Sequence, residues 1–124
     1  MWVYDRLAKK LKRNVAPPYA VIYSGCYCGH GTGLNNPEME RVSCVGPLPA
    51  GLYNMLSIVD SPHTGKATII LEQSSGLSYG RSGFRIHGDN GKGDFSASEG
   101  CIIKPGEAER RLIWASGDHV LQVI

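Results

Sequence analysis

No apolar run in this chain of 124 residues approaches the roughly 20 that a membrane-spanning helix needs. A helical membrane span is therefore excluded. The start, Met1-Trp2-Val3-Tyr4-Asp5, lacks the basic stretch and apolar block of a secretory leader, so export by a signal peptide is not expected. There is no internal repeat, no linker and no low-complexity tail, which leaves one domain over residues 1–124. At this length such a domain buries a core of its own. Charge is sparse, at 19% of residues against 42% hydrophobic, the balance of a soluble globular protein. The net charge of +2 is uneven: residues 1–24 carry five bases and one acid, and the remainder eight bases and ten acids. The bases cluster as Lys9-Lys10 and Lys12-Arg13. Such a cluster is either a contact for an anionic polymer or a solvated edge. No aromatic residue interleaves with it to stack on bases, so nucleic acid is not expected as a partner.

Sixteen glycines and seven prolines favour many turns and short strands over long helices. Trp2-Val3-Tyr4 and Tyr19 to Tyr23 read as strands by β-branched and aromatic content. Residues 5–13 fit either a short helix, with Leu7 and Leu11 four apart, or a hairpin. Leu52 to Val59, Lys66 to Glu72 and Asp118 to Ile124 read as further strands, and Thr68 to Leu71 is apolar enough to be central. Pro105 opens the one helix expected. Glu107 and Glu109 lie in its first turn, Ala108, Leu112 and Ala115 form its inward stripe, and Gly117 ends it. The expected fold is mainly β, a sandwich or barrel of about seven strands with one C-terminal helix.

The four cysteines are Cys26, Cys28, Cys44 and Cys101. Cys26, Cys28 and His30 share one side of an extended segment, with Cys44 following later. Three readings are open there. One is a disulfide from Cys26 or Cys28 to Cys44, of which Cys28–Cys44 is carried forward. The second is a zinc site, disfavoured because C-x-C is not the usual C-x-x-C knuckle. The third is ordinary free thiols.

Cys101 belongs to a different context. Phe84-Arg85-Ile86-His87-Gly88-Asp89 reads as a strand placing Phe84 and Ile86 on one face and Arg85 and His87 on the other. Fourteen residues after His87 comes Cys101, preceded by Ser98-Glu99-Gly100. A thiol is a weak nucleophile until a base or a positive neighbour activates it. His87 is the natural base, since imidazole titrates near neutrality. Gly100 lets a carbonyl substrate approach the main chain, whose N–H groups can hold an oxyanion. Arg81, just upstream, can bind a substrate carboxylate bidentately or form a structural ion pair.

His87-Gly88 followed by Ser98-x-Gly100-Cys101 resembles the signature of YkuD-type L,D-transpeptidases. The chain is closer still to the L,D-transpeptidase-like effector domains of bacterial type VI secretion systems. In that branch the runs corresponding to Gly46-Pro47-Leu48-Pro49-Ala50-Gly51-Leu52-Tyr53, to Gly80 through Asp89 and to Ala97 through Ile102 occur in this order, with Trp114 to Asp118 following. The resemblance implies Cys101 as nucleophile, His87 as base and the Gly88 carbonyl as the group orienting the imidazole. It implies an oxyanion hole from the N–H groups of Gly100 and Cys101. Asp89 is an alternative acceptor for the histidine N–H, Ser98 either braces the turn or touches substrate, and Tyr79 joins Arg81 as a candidate substrate contact. Two positions depart from the YkuD pattern: Glu99 stands where His is common, and Ile103 where Arg or Asn is common. Cys26 to Gly29 reads as an insertion.

The implied activity is acyl transfer on peptidoglycan tetrapeptide stems, as L,D-carboxypeptidase or D-amino-acid exchange, without metal or organic cofactor. The implied setting is an antibacterial toxin made in the bacterial cytoplasm and delivered to a rival's periplasm, with a cognate immunity protein as partner. The alternatives are a phage-encoded lytic or wall-modifying enzyme, and a non-catalytic wall-binding module stabilised by a disulfide or zinc.

Overall fold

The computed structural model describes all residues, 1–124. It is mainly β, a single curled sheet in the form of a half-barrel with one helix. The strands are β1 (Trp2–Asp5), β2 (Lys10–Arg13), β3 (Val21–Tyr23), β4 (Tyr27–Cys28), β5 (Gly51–Ser61), β6 (Gly65–Ser75), β7 (Arg85–His87), β8 (Ile102–Ile103) and β9 (Val120–Val123), with α1 at Glu107–Ala115. Their order across the sheet is β3-β2-β1-β9-β5-β6-β7-β8-β4. Nine strands in one sheet replace the roughly seven expected. The difference lies in strands of two to four residues, such as β4 and β8, which are too short to leave a periodic signature.

Residues 5–13 form the hairpin, with Tyr4 opposite Leu11. That register buries both side chains completely. The basic cluster lies on this hairpin, where Lys10 is exposed and only Leu11 of β2 turns inward.

The β5–β6 hairpin, eleven residues on each arm, is the centre of the sheet. Tyr53, Met55, Ile69 and Leu71 from it pack with Trp2, Tyr4, Ile86, Ile102 and Leu121 in one core. Alternate residues of a strand face opposite ways, so β7 commits Ile86 to this core and turns Arg85 and His87 to the other face. The β7–β8 pairing is parallel, with Ile86 opposite Ile102 and His87 opposite Ile103.

The helix lies against β6 by a face different from the one expected. Arg110 and Ile113 are buried, Leu112 is 61% exposed, and Ala108 and Ala115 are exposed too. The reason is polar. The Arg110 guanidinium donates to the carbonyls of Lys104 at 2.7 Å, Ala67 at 3.1 Å and Lys66 at 3.1 Å. A stripe read from apolar residues alone omits such an anchor.

Candidate active site

Extending the β7–β8 register by one residue sets Cys101 opposite Arg85, on the face that carries His87. With a rise of ~3.3 Å per residue and strands ~4.8 Å apart, the Cα atoms of Cys101 and His87 are about 8 Å apart. Both side chains line one cavity of about 500 Å³, together with Arg85, His63, Thr64 and Glu99. Residues fourteen apart in sequence thus line one cavity because β7 and β8 are ladder neighbours.

His87 Nδ1 is 2.8 Å from the carbonyl oxygen of Gly88. A carbonyl can only accept, so Nδ1 carries the proton and Nε2 keeps its lone pair. Burial lowers the His87 pKa below its usual 6.5, opposed by the Gly88 hydrogen bond and reinforced by the charges of Arg110 and Arg85. The ring is therefore neutral at pH 7. Gly88 must be glycine for a local reason: a Cβ there would lie 2.9 Å from Arg110 Nη2, in a guanidinium pinned by three carbonyls.

The Cys101 thiol is partly exposed, 3.7 Å from the Gly83 carbonyl. Burial raises its pKa above the usual 9.0, while the Arg85 backbone N–H and the charges of Arg85 and Arg81 pull it down. Burial wins, so the pair rests as thiol and neutral imidazole.

The turn before Cys101 is held from three sides. Ser98 is fully buried. Its hydroxyl accepts from Gly29 N at 2.8 Å and Gly100 N at 3.1 Å, and donates to the Cys101 carbonyl at 2.6 Å. One donor and two acceptors exhaust a hydroxyl, so Ser98 braces the turn and has nothing to offer a substrate. The Gly100 N–H expected in an oxyanion hole is spent on this bond.

Arg81 is not free for a substrate carboxylate. It is buried, and its guanidinium donates to the carbonyls of Glu40 at 2.6 Å, Pro47 at 2.7 Å and Gly46 at 3.0 Å. It underlies the turn before Cys101, since a Cβ on Gly100, whose φ is +126°, would lie 2.1 Å from Arg81 Nη2. Asp89 does not take the histidine proton; it accepts from the Tyr27 hydroxyl at 2.8 Å. Tyr79 lies outside the cavity lining, with the Arg41 guanidinium 5.4 Å from its ring centroid.

The Cys28–Cys44 disulfide is absent: all four cysteines are free, Cys26 and Cys28 buried and Cys44 exposed. No three His, Cys, Asp or Glu side chains converge as metal ligands. The segment read as an insertion has a positioning task instead. As β4 it pairs with β8, Tyr27 opposite Ile103 and Cys28 opposite Ile102. The Cys28 thiol donates to the Gly100 carbonyl and accepts from Leu48 N, each at 3.1 Å. His30 Nδ1 donates to the Ser98 carbonyl at 2.8 Å. The Tyr27 hydroxyl accepts from Ala97 N at 3.1 Å. Both ends of the loop between His87 and Cys101 are thereby tied to β4.

Exposed His63, at the β5–β6 turn, and exposed Cys44, expected in a disulfide, both line the cavity. His63 arrives there because the β5–β6 hairpin carries its turn over this face, and no local pattern could have signalled that.

The family described as the Tlde1 domain matches residues 23–119, from the end of β3 to the approach to β9. Among solved structures, that of Bdellovibrio bacteriovorus Bd1075 superposes with a TM-score of 0.65 at 15% identity. The superposition covers 100% of this chain and 47% of that protein, so this chain spans about half its length. At that identity the likeness is one of fold. No curated protein matches the chain.

Proposed function

Because the chain belongs to the Tlde1 domain family, a family of type VI secretion effectors, we propose that it is a cysteine-dependent acyltransferase acting on peptidoglycan tetrapeptide stems in a rival cell's wall. The observation that carries the reading is the shared cavity: the Cys101 thiol and an imidazole of defined tautomer line it together. Cys101 Sγ attacks the carbonyl of the L-centre in the L,D bond to the terminal D-Ala, and its proton passes to His87 Nε2. The Cys101 amide faces the developing oxyanion. D-Ala departs with the proton from His87, and a thioester remains on Cys101. Water resolves it as a carboxypeptidase, and a free D-amino acid resolves it as an exchange.

The Gly88 carbonyl does here what an Asp or Asn does in other triads, orienting the ring and stabilising the imidazolium that forms. No metal is invoked at any step. An enzyme of this kind acts in the periplasm after delivery into the target, and its producer needs an immunity protein to survive it.

The test is incubation of the purified protein with disaccharide-tetrapeptides, with product masses read out. Loss of D-Ala, or its replacement by an added D-amino acid, is expected with the native protein, and no reaction with Cys101→Ala. An unchanged substrate mass with the native protein would remove the enzymatic reading.

A further inference from the structure

Arg85 is the cavity's guanidinium that is neither ion-paired nor saturated by carbonyls. Other arginines are committed elsewhere. Arg6 pairs with Glu40 at 2.8 Å, Arg13 with Asp118 at 3.1 Å and Arg111 with Asp60 and Glu107 at 3.5 and 3.4 Å. Arg81 and Arg110 are saturated by carbonyls. Arg85 meets only two hydroxyls, Ser61 Oγ at 3.3 Å and Thr64 Oγ1 at 3.4 Å, both through Nη1. Both contacts are long for N–H···O bonds. Glu99 is the one carboxylate in the cavity lining, and it forms no ion pair with Arg85.

The position of this charge is fixed by the ladder. Arg85 is opposite the site of Cys101 across the β7–β8 pair and shares a face with His87. Its Nη1 is held by the Ser61 and Thr64 hydroxyls at the β5–β6 turn, which leaves Nε and Nη2. Those two N–H groups form the side edge of a guanidinium, whose parallel donors match the two oxygens of a carboxylate. In a peptide ending in a free D-amino acid, the carboxylate carbon is two bonds beyond the scissile nitrogen. A substrate whose carbonyl rests against Cys101 thus has its carboxylate within the cavity that Arg85 also lines.

We infer that Arg85 is the carboxylate-recognition group of this cavity, binding a free carboxylate of the acyl donor whose carbonyl Cys101 attacks. This rests on the acyl-transfer reading. It adds a substrate class: stems that end in a free acid, in preference to extended or amidated ones. The carboxylate is either the terminal one or the side-chain one of the diamino diacid beside the scissile bond.

Binding to Cys101→Ala tests this without turnover. Calorimetry compares the tetrapeptide free acid with its C-terminal amide and with the peptide amidated on the diacid side chain. The free acid is expected to bind on the order of ten- to a hundredfold more tightly than one of the amides, the range of a charge-assisted hydrogen bond. Whichever amide is weakened identifies the carboxylate. Adding Arg85→Gln should make acid and amide equal, and Arg85→Lys should recover part of the preference. Equal binding of all three peptides, no binding of the acid, or a preference that survives Arg85→Gln would each overturn the inference. So would an Arg85→Gln variant whose only change is the alkylation rate of Cys101. Turnover by the native protein is scored separately. Carboxylate preference without turnover would sink the acyl-transfer reading and keep this one; turnover without preference would do the reverse.

Discussion

Gly100 and Arg81 should depend on each other, and a double-mutant cycle can measure how strongly. Gly100→Ala carries two costs. The φ of +126° is a region that L-residues rarely adopt, and forcing one there costs about 1–3 kcal/mol. The new Cβ also lies 2.1 Å from Arg81 Nη2, so the guanidinium must shift within its cage of three carbonyls. Losing one such charged bond costs about 1.5–3 kcal/mol. The single variant should therefore lose about 2.5–6 kcal/mol.

Arg81→Lys removes Nη2, the donor to the Gly46 carbonyl, and loses the fork's geometry, for about 1.5 kcal/mol or more. In the double variant the backbone strain persists but the collision is gone. The two losses should fall short of additivity by at least about 1 kcal/mol, measured by urea unfolding. Independent sites add to within about 0.5 kcal/mol, so additivity at that level would refute the contact as the reason for glycine here. Both variants should also lose turnover beyond their loss of folded protein, because the turn they disturb carries Cys101.

Three further predictions concern the thiols and the imidazole. Since burial holds the His87 pKa below 6.5, the ring remains a base as pH falls through 6.5. The acid limb of kcat/KM should then have its midpoint below 6.5, and a midpoint at 7 or above would contradict this. Alkylation followed by peptide mass mapping should label exposed Cys44 first, and Cys101 slowly at pH 7 and faster above pH 9. Cys26 and Cys28, whose thiols are pushed up to about 11 and about 12, should stay unlabelled until the chain unfolds; rapid labelling of Cys28 in the folded protein would show its burial to be wrong. Cys28→Ala leaves Leu48 N and the Gly100 carbonyl without their partner, at a cost of about 1–3 kcal/mol in denaturant unfolding, whereas Cys28→Ser keeps a donor and an acceptor there and should retain most stability and turnover. Equal losses for Ala and Ser would mean the sulfur matters for volume alone.

What could be read from the sequence was local. The alternation in Phe84 to His87 tells which side chains face the core: Phe84 and Ile86 are in it. The two acids expected in the helix's first turn, Glu107 and Glu109, lie there. What could not be read was the identity of partners brought in from a distance. Arg81 and Arg85 are four residues apart and equally plausible as anion binders in one dimension. Only the fold spends one on the carbonyls of Glu40, Gly46 and Pro47 and leaves the other facing a cavity. Cys26 to Gly29 reads as an insertion because the residues that it and His30 brace, Gly100 and Ser98, lie some seventy positions away. The helix stripe was misread because Arg110 reaches inward through hydrogen bonds that hydropathy does not register.

The short parallel pairing of β7 with β8 has a practical consequence. The alignment of thiol and imidazole is set by Ile86 against Ile102 and His87 against Ile103, not by the length of chain that joins the strands. Residues 89–96 of that connection are exposed throughout. Doubling a flexible loop costs only about 0.6 kcal/mol in closure entropy, so a peptide tag spliced in at Gly91–Gly93 should leave the geometry around Cys101 untouched. A deletion that slid β8 by a single residue would instead turn the sulfur into the hydrophobic interior and offer an isoleucine to the cleft.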